Sequence, residues 1–319
     1  MINYLSTIIN SYNPNTYVLQ NLFLIALIAL IYHIYKIKDQ NEFNSNIEGF
    51  DQVEPFQLKR DQDIYDDLYA PMYDILSKTI TRSDWELENI LKMTDADKCN
   101  NIFLDVGSGS GYKVKQLQDM GYIAYGVEKS KSMIKRSGVL FPEIVVREGD
   151  ILIDPMLFER STFTHILCMN FTIYEFEDKL QFFRNCYSWM LPNSYLIIHL
   201  VDPNNFKAVV QVGQNKWIPD KKKVKGRMTD TLVDFYDFGY HAHYEFPVKK
   251  TDNRVVFTQK ITDKKTKNIR QNEQTLHMDS ISDIMKMANH VGFIFHGKMN
   301  MMELYKDQYQ YLYVLERTM

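Results

Sequence analysis

Asn101 to Val106 is a short apolar run carrying Asp105 near its end, and Gly107, Ser108, Gly109, Ser110 and Gly111 follow it directly. Apolar residues at helical spacing, Val114, Leu117 and Met120, come next. This order of strand, glycine loop and helix constrains the fold more than any other stretch. Glycines at every second position let the backbone turn sharply and approach a ligand more closely than a Cβ permits. The helix that follows presents unpaired N–H groups at the same place.

A dinucleotide fingerprint, G-x-G-x-x-G, needs a third glycine where Tyr112 stands, so an NAD-dependent oxidoreductase is the weaker alternative. The run F-L-D-V-G-S-G-S-G, Phe103 to Gly111, resembles the first motif of the class I S-adenosylmethionine methyltransferases, an acid followed by G-x-G-x-G. That resemblance implies S-adenosylmethionine as cofactor, held near Asp105, Gly107, Ser108, Gly109 and Gly111. A second strand, Tyr122 to Val127, ends in Glu128, 21 residues after Gly107. An acid there can take ribose hydroxyls, although a charge opening the next helix is the alternative. The strand Ile144 to Arg147 leads into Asp150 and Ile151. The family places an acid against the adenine amino group there and packs the next apolar residue on the ring; an ordinary turn residue is the alternative for Asp150.

The fourth strand, Phe163 to Met169, delivers Asn170, Phe171, Thr172, Ile173, Tyr174 and Glu175 to the edge where open α/β sheets bind ligands, and Asn170 joins the cofactor candidates. The run N-F-T-I-Y lacks both prolines of the N-P-P-Y signature of enzymes that methylate nucleobase or glutamine amines, so that acceptor class is not carried over. A helix over Leu180 to Met190, a turn at Leu191-Pro192-Asn193-Ser194 and a fifth strand, Tyr195 to Leu200, continue the family's order. Upstream, Tyr65, Tyr69 and Tyr73 stand at helical spacing, with Pro71 expected to end or kink the helix. They form either a core stripe or a lid over the methionine end of the cofactor, with Tyr69 in contact. Methyl transfer gains mostly from orientation and water exclusion, so no dedicated base is required. If a proton must leave the acceptor, Tyr174 and His199 are the candidates, with a buried strand residue as the alternative for His199.

Composition changes after Asp202. Pro203 to Arg270 holds 15 Lys and Arg against 7 Asp and Glu in a chain whose net charge is -3. Residues 235–246 alternate, with Tyr236, Phe238, Tyr240, Ala242, Tyr244 and Phe246 opposite Asp237, Gly239, His241, His243 and Glu245. Further strands over Arg254 to Thr262 and Lys267 to Leu276 make an antiparallel insert. His241, His243 and Glu245 share a face without a distant third ligand, and no metal is expected. Lys221, Lys222, Lys223, Lys225 and Arg227 are either a contact for anionic lipid or phosphate or a solvated loop. A helix over Ser280 to His290, stopped by Gly292, and strands Phe293 to Met299 and Tyr309 to Leu315 complete a seven-stranded sheet.

Between Tyr17 and Tyr35 no residue is charged, and Leu22 to Ile31 is unbroken apolar, close to the roughly 20 residues that span a bilayer. Lys36 and Lys38 follow, which predicts a single-pass membrane protein with its catalytic part in the cytosol; a buried core helix is the alternative, since His33 interrupts the run. Cys99, Cys168 and Cys186 make no disulfide framework or zinc pair.

The predicted fold class is α/β. It is a doubly wound, seven-stranded, mostly parallel Rossmann-like sheet with an antiparallel β insert after the fifth strand and one N-terminal transmembrane helix. The predicted divisions are an N-terminal segment (1–16), the membrane helix (17–35), a linker (36–61), a methyltransferase domain (62–202 and 278–319) and the basic insert (203–277). The predicted function is methyl transfer to a small-molecule amine or hydroxyl, with a non-catalytic, membrane-bound, cofactor-binding scaffold as the other alternative.

Overall fold

A computed structural model describes residues 20–31, 54–210, 214–216, 228–235, 237–248 and 252–318. The chain divides into two compact units between Gly49 and Phe50. In the first, residues 20–31 form a helix whose large apolar side chains, Leu22 through Ile31, are exposed. No helix among the described residues is long and apolar enough to cross a membrane. The remainder of the span predicted over 17–35 lies outside the described residues, as does the basic run from Lys221 to Arg227.

The second unit opens with strand β1 (Phe56–Arg60), a 3₁₀ turn (Asp61–Ile64) and helices α1 (Tyr69–Leu76) and α2 (Thr79–Met93). Alternation then follows: β2 (Ile102–Val106), α3 (Tyr112–Asp119), β3 (Ile123–Glu128), α4 (Lys131–Leu140), β4 (Val146–Glu148), β5 (Phe163–Cys168), α5 (Thr172–Glu175), α6 (Lys179–Trp189) and β6 (Met190–Val201). Five strands come next, β7 (Gln214–Lys216), β8 (Asp230–Asp234), β9 (Phe238–Glu245), β10 (Arg254–Asp263) and β11 (Ile269–His277). The unit ends with α7 (Ile281–Val291), β12 (Phe293–Asn300), α8 (Met302–Tyr305) and β13 (Gln310–Arg317).

One sheet has the order β12-β13-β6-β5-β2-β3-β4. β4, β3, β2, β5 and β6 run parallel, whereas β13 is antiparallel to both of its neighbours. The chain winds outward from β2 in both directions, so the crevice between the ends of β2 and β5 is the topological switch point. A core of Leu87, Ile90, Phe103, Val114, Leu117, Leu167, Ile197, Leu312 and Val314 binds α2 and α3 to this sheet. The turn expected at Leu191 to Ser194 is made by Asn193 at φ 57, where the pairing of β5 with β6 shifts register.

The other sheet, of order β1-β11-β10-β9-β8-β7, is antiparallel except where β1 joins β11. The alternation read in β9 is met by burial of Phe238, Tyr240, Ala242 and Tyr244. β1 corrects the predicted linker: Phe56–Arg60 is a strand paired with Ile269 through Glu273. Its five residues alternate between exposed and half-buried, so its partner more than 200 residues away supplies what its own side chains do not.

Pro71 also departs from expectation. It neither ends nor kinks a helix but sits in the first turn of α1, where a missing N–H costs nothing. The Asp66 carboxylate accepts from the Tyr69 N–H at 3.1 Å, and the chain up to that point is not helical, so Tyr65 stands outside α1. Fully buried Arg270 on β11 donates to both Asp66 oxygens (2.9 and 2.8 Å) and to the Ile64 carbonyl (2.9 Å). These charge-assisted hydrogen bonds, with the Asp66 side chain 31% exposed, tie the second sheet to the start of α1.

Candidate active site

Two clefts adjoin at the switch point. The first lies over the glycine loop and is walled by Gly107, Gly109, Glu128, Lys129, Asp150 and Ile151, among others. Gly107, Gly109 and Gly111 all take left-handed backbone, at φ 66, 56 and 81. At Gly109 the nearest atom to an added Cβ is Tyr73 Cε1 at 3.8 Å, so conformation alone demands glycine there. At Gly111 a Cβ would also meet Ile144 Cδ1 at 2.5 Å and Ser137 Oγ at 2.6 Å.

Glu128 fastens this loop. Its Oε2 accepts from the Gly109 N–H at 2.9 Å, and its Oε1 accepts from the N–H groups of Lys129 and Ser130, both at 2.8 Å. Burial pushes the carboxyl above its ordinary range even though the three N–H groups pull it down. With about two lone-pair positions on each oxygen, Oε2 can still take one hydroxyl donor. Burial also pushes Asp150 upward, but the Lys129 ammonium at 2.7 Å and the Leu152 N–H at 2.9 Å outweigh it and hold the carboxyl low. A glycine cradle, an acid with a spare acceptor site and an ionised acid beside buried Ile151 fit a nucleoside ligand.

The second cleft lies beside the first and is open to solvent. Its walls include Tyr65, Tyr69, Tyr73 and Asn170 from the first sheet's side, and Tyr240, Tyr244, Phe257, Gln259 and Gln274 from the second sheet. Tyr65, Tyr69 and Tyr73 meet edge to face, with centroids 6.0 to 6.3 Å apart. Asn170 Nδ2 donates to the Tyr73 hydroxyl at 2.6 Å. Tyr65, Tyr73 and Glu175 line both clefts and form their common wall.

Among the predicted cofactor residues, Gly107, Gly109, Glu128, Asp150 and Ile151 therefore share one cleft, while Tyr69 and Asn170 face the adjoining one. Asp105, Ser108 and Gly111 line neither. Asp105 is buried at the end of β2, with its carboxyl pushed up to about 7 by desolvation. The buried Ser108 hydroxyl packs over Gly126, and Gly111 packs on Ile144 and Ser137. These three shape the loop from below.

The two predicted catalytic residues are corrected in the same way. The Tyr174 hydroxyl accepts from the Val201 N–H at 2.9 Å and donates to the Val201 carbonyl at 3.3 Å, and burial raises its pKa. His199 is fully buried and pushed down to about 4, stacked on Tyr305 with Nε2 3.2 Å from Gln310 Oε1. Neither borders a cleft. Both instead pack against the ring of Phe171, which with Asn170 adopts left-handed backbone at φ 68 and 49. Such conformations are unfavourable for non-glycine residues and persist only when their surroundings enforce them.

Glu175 is the functional group that residue patterns did not single out. Its Oε1 accepts from the Tyr65 hydroxyl at 2.9 Å, and that oxygen accepts in turn from Gln274 Nε2 at 2.9 Å. Burial pushes the carboxyl up to about 7. The available signal was an acid closing the aromatic and apolar run from Phe171 to Phe176, just beyond a central strand.

His241 and His243, on the opposite face of β9, both contact the buried Asp230 carboxylate, at 2.8 and 3.1 Å. No group of three or more His, Cys, Asp or Glu suited to a metal occurs among the described residues.

Residues 104–198 match the family model described as a methyltransferase domain. No curated protein matches the chain in sequence. Among solved structures, the chain is similar to an S-adenosylmethionine-dependent methyltransferase from Clostridium acetobutylicum, with a TM-score of 0.59 at 16% identity over 79% of this chain and 98% of that one. It is similar to DesVI from Streptomyces venezuelae (TM-score 0.55, 12% identity, 78% of this chain and 98% of that one). It also resembles CalS10 from Micromonospora echinaspora, an amino pentose methyltransferase solved with S-adenosylmethionine bound (TM-score 0.52, 15% identity, 74% and 91%). At these identities the structural likenesses establish the fold, and the domain match adds the chemistry. Residues 104–198 thus carry a methyltransferase domain, and the chain around them has the fold that these methyltransferase structures share.

Proposed function

We propose that the cleft over the glycine loop holds S-adenosylmethionine and that the tyrosine-lined cleft holds a small-molecule acceptor with an amine or hydroxyl nucleophile. The observation that carries this reading is the wall of Tyr65, Tyr73 and Glu175 common to both clefts. In-line displacement needs donor and nucleophile held about 3–3.5 Å apart in fixed orientation, and two clefts meeting at one wall provide that. Gly107, Gly109 and Glu128 hold the nucleoside; Asp150 and Ile151 receive the base. The sulfonium, when bound, supplies an activated methyl carbon, while the chain's own residues orient the acceptor and exclude water. The sugar N-methyltransferase KedS8 and the amino pentose methyltransferase CalS10 have the same fold, which favours small acceptors. The test is incubation of the full-length protein with methyl-labelled S-adenosylmethionine and a panel of primary and secondary amines and alcohols. Transfer of label to a panel member is expected. Binding of the methyl donor without transfer to any member would turn the reading toward a larger acceptor or a cofactor-binding scaffold.

The same proposal extends to location. Residues 17–35 anchor the chain in a membrane with the catalytic unit on the cytosolic side, and Lys221, Lys222, Lys223, Lys225 and Arg227 meet anionic headgroups. The uncharged stretch from Tyr17 to Tyr35, followed by Lys36 and Lys38, supports it.

A further inference from the structure

Among the described residues that line the tyrosine cleft, Glu175 alone carries a formal charge. Around it stand the rings of Tyr65, Tyr69, Tyr73, Tyr240, Tyr244 and Phe257. Ring faces attract cations through their quadrupoles, and a part-buried carboxylate does so through its charge. An anion would meet no basic side chain among the described residues of this wall. The Tyr240 hydroxyl is buried without a partner in the same wall, a polar atom that a bound ligand can satisfy.

On the assignment of this cleft to the acceptor, we propose that Glu175 selects an ammonium-bearing acceptor and takes the proton from its nitrogen before methyl transfer. An amine protonated at neutral pH has no lone pair with which to attack. The N–H proton passes to a Glu175 oxygen, leaving a neutral amine and a carboxylic acid. The nitrogen lone pair then forms the bond to the methyl carbon as the carbon–sulfur bond breaks, and that electron pair stays on sulfur. The product leaves as a methylated ammonium, and Glu175 returns its proton to water. The hydrogen bond from Tyr65, itself held by Gln274, fixes Oε1 and turns the carboxylate toward the common wall. A carboxyl titrating near neutrality is matched to this work, because a base acts best with a pKa near the working pH.

The test compares choline with 3,3-dimethylbutan-1-ol, its uncharged carbon isostere, titrated calorimetrically into the full-length protein saturated with S-adenosylhomocysteine. Choline is expected to bind about tenfold more tightly than the isostere near pH 8.5, and the preference is expected to shrink toward about pH 5.5 as Glu175 protonates. Asp61, Tyr65, Tyr73, Glu128 and Cys168 also face or act on this carboxylate, so Glu175→Gln isolates its share. In that variant choline and the isostere are expected to bind alike at both pH values. Equal binding to the wild type, no binding of either probe, or a choline preference that survives in Glu175→Gln would overturn the proposal. If Glu175→Gln fails to bind S-adenosylhomocysteine, the wild-type pH titration alone decides. Failure of the wild type to bind S-adenosylhomocysteine is a separate result and overturns the assignment of the cofactor cleft.

Discussion

Replacing Gly111 with alanine probes the loop geometry most directly. Its φ of 81 is left-handed, which costs an alanine about 1–2 kcal/mol. The new methyl would lie 2.5 Å from Ile144 Cδ1 and 2.6 Å from Ser137 Oγ, and overpacking of this kind costs about 1–3 kcal/mol. Both contacts involve the ends of side chains that can rotate aside, so the sum falls at about 2–4 kcal/mol. A unit of this size loses about 2–4 °C of melting temperature per kcal/mol, so Gly111→Ala should melt about 5–15 °C below the wild type. Gly109→Ala is the internal control. It carries the left-handed cost, at φ 56, without the clash, and should lose about 1–2 kcal/mol. Differential scanning calorimetry of both variants checks the order. A Gly111→Ala protein that melts within about 2 °C of the wild type, or no lower than Gly109→Ala, would refute the account of why this loop needs glycine.

Tyr174→Phe leaves the Val201 N–H without its acceptor inside the core and should destabilise the protein by about 1–3 kcal/mol. Methyl transfer per folded molecule should stay within about twofold, and a loss of two orders of magnitude without a stability change would restore a catalytic role. Asp105 has a folded pKa of about 7, raised by burial, so its contribution to stability is fully present below the ordinary carboxylate range and is lost as pH rises through about 7. Asp105→Asn should therefore flatten the fall in melting temperature between pH 5 and pH 8, and thermal scans showing the same slope in both proteins would contradict this. Ile25→Lys combined with Ile28→Lys should release the full-length protein from sedimenting vesicles, because each lysine costs about 2.5–3.5 kcal/mol at a helix centre. Wild-type protein that does not sediment with vesicles would dispose of the anchor.

The cleft over the glycine loop was legible because its signals are local. Gly107, Gly109 and Gly111 need left-handed backbone within five residues, and Glu128 is placed by the strand that carries it, so spacing along the chain is also spacing in space. Tyr240 and Tyr244 were assigned to one face of a strand for the same reason, since period 2 fixes which side chains share a side. Tyr174 and His199 were placed at the ends of central strands, yet being at a strand end does not say whether a side chain points into the cleft or into the core.

What the sequence by itself determined is the order of strands and helices around β2, and hence a cleft over the glycine loop at the switch point. Tertiary structure alone decided the tyrosine cleft. Tyr65 and Gln274 are 209 residues apart and Tyr65 and Glu175 are 110 apart, and they meet because β1 joins β11 and Arg270 grips Asp66. Hydrogen bonds and ion pairs between such distant residues leave no periodicity in either segment. The desolvation that raises Glu175 arises only when both sheets close over it.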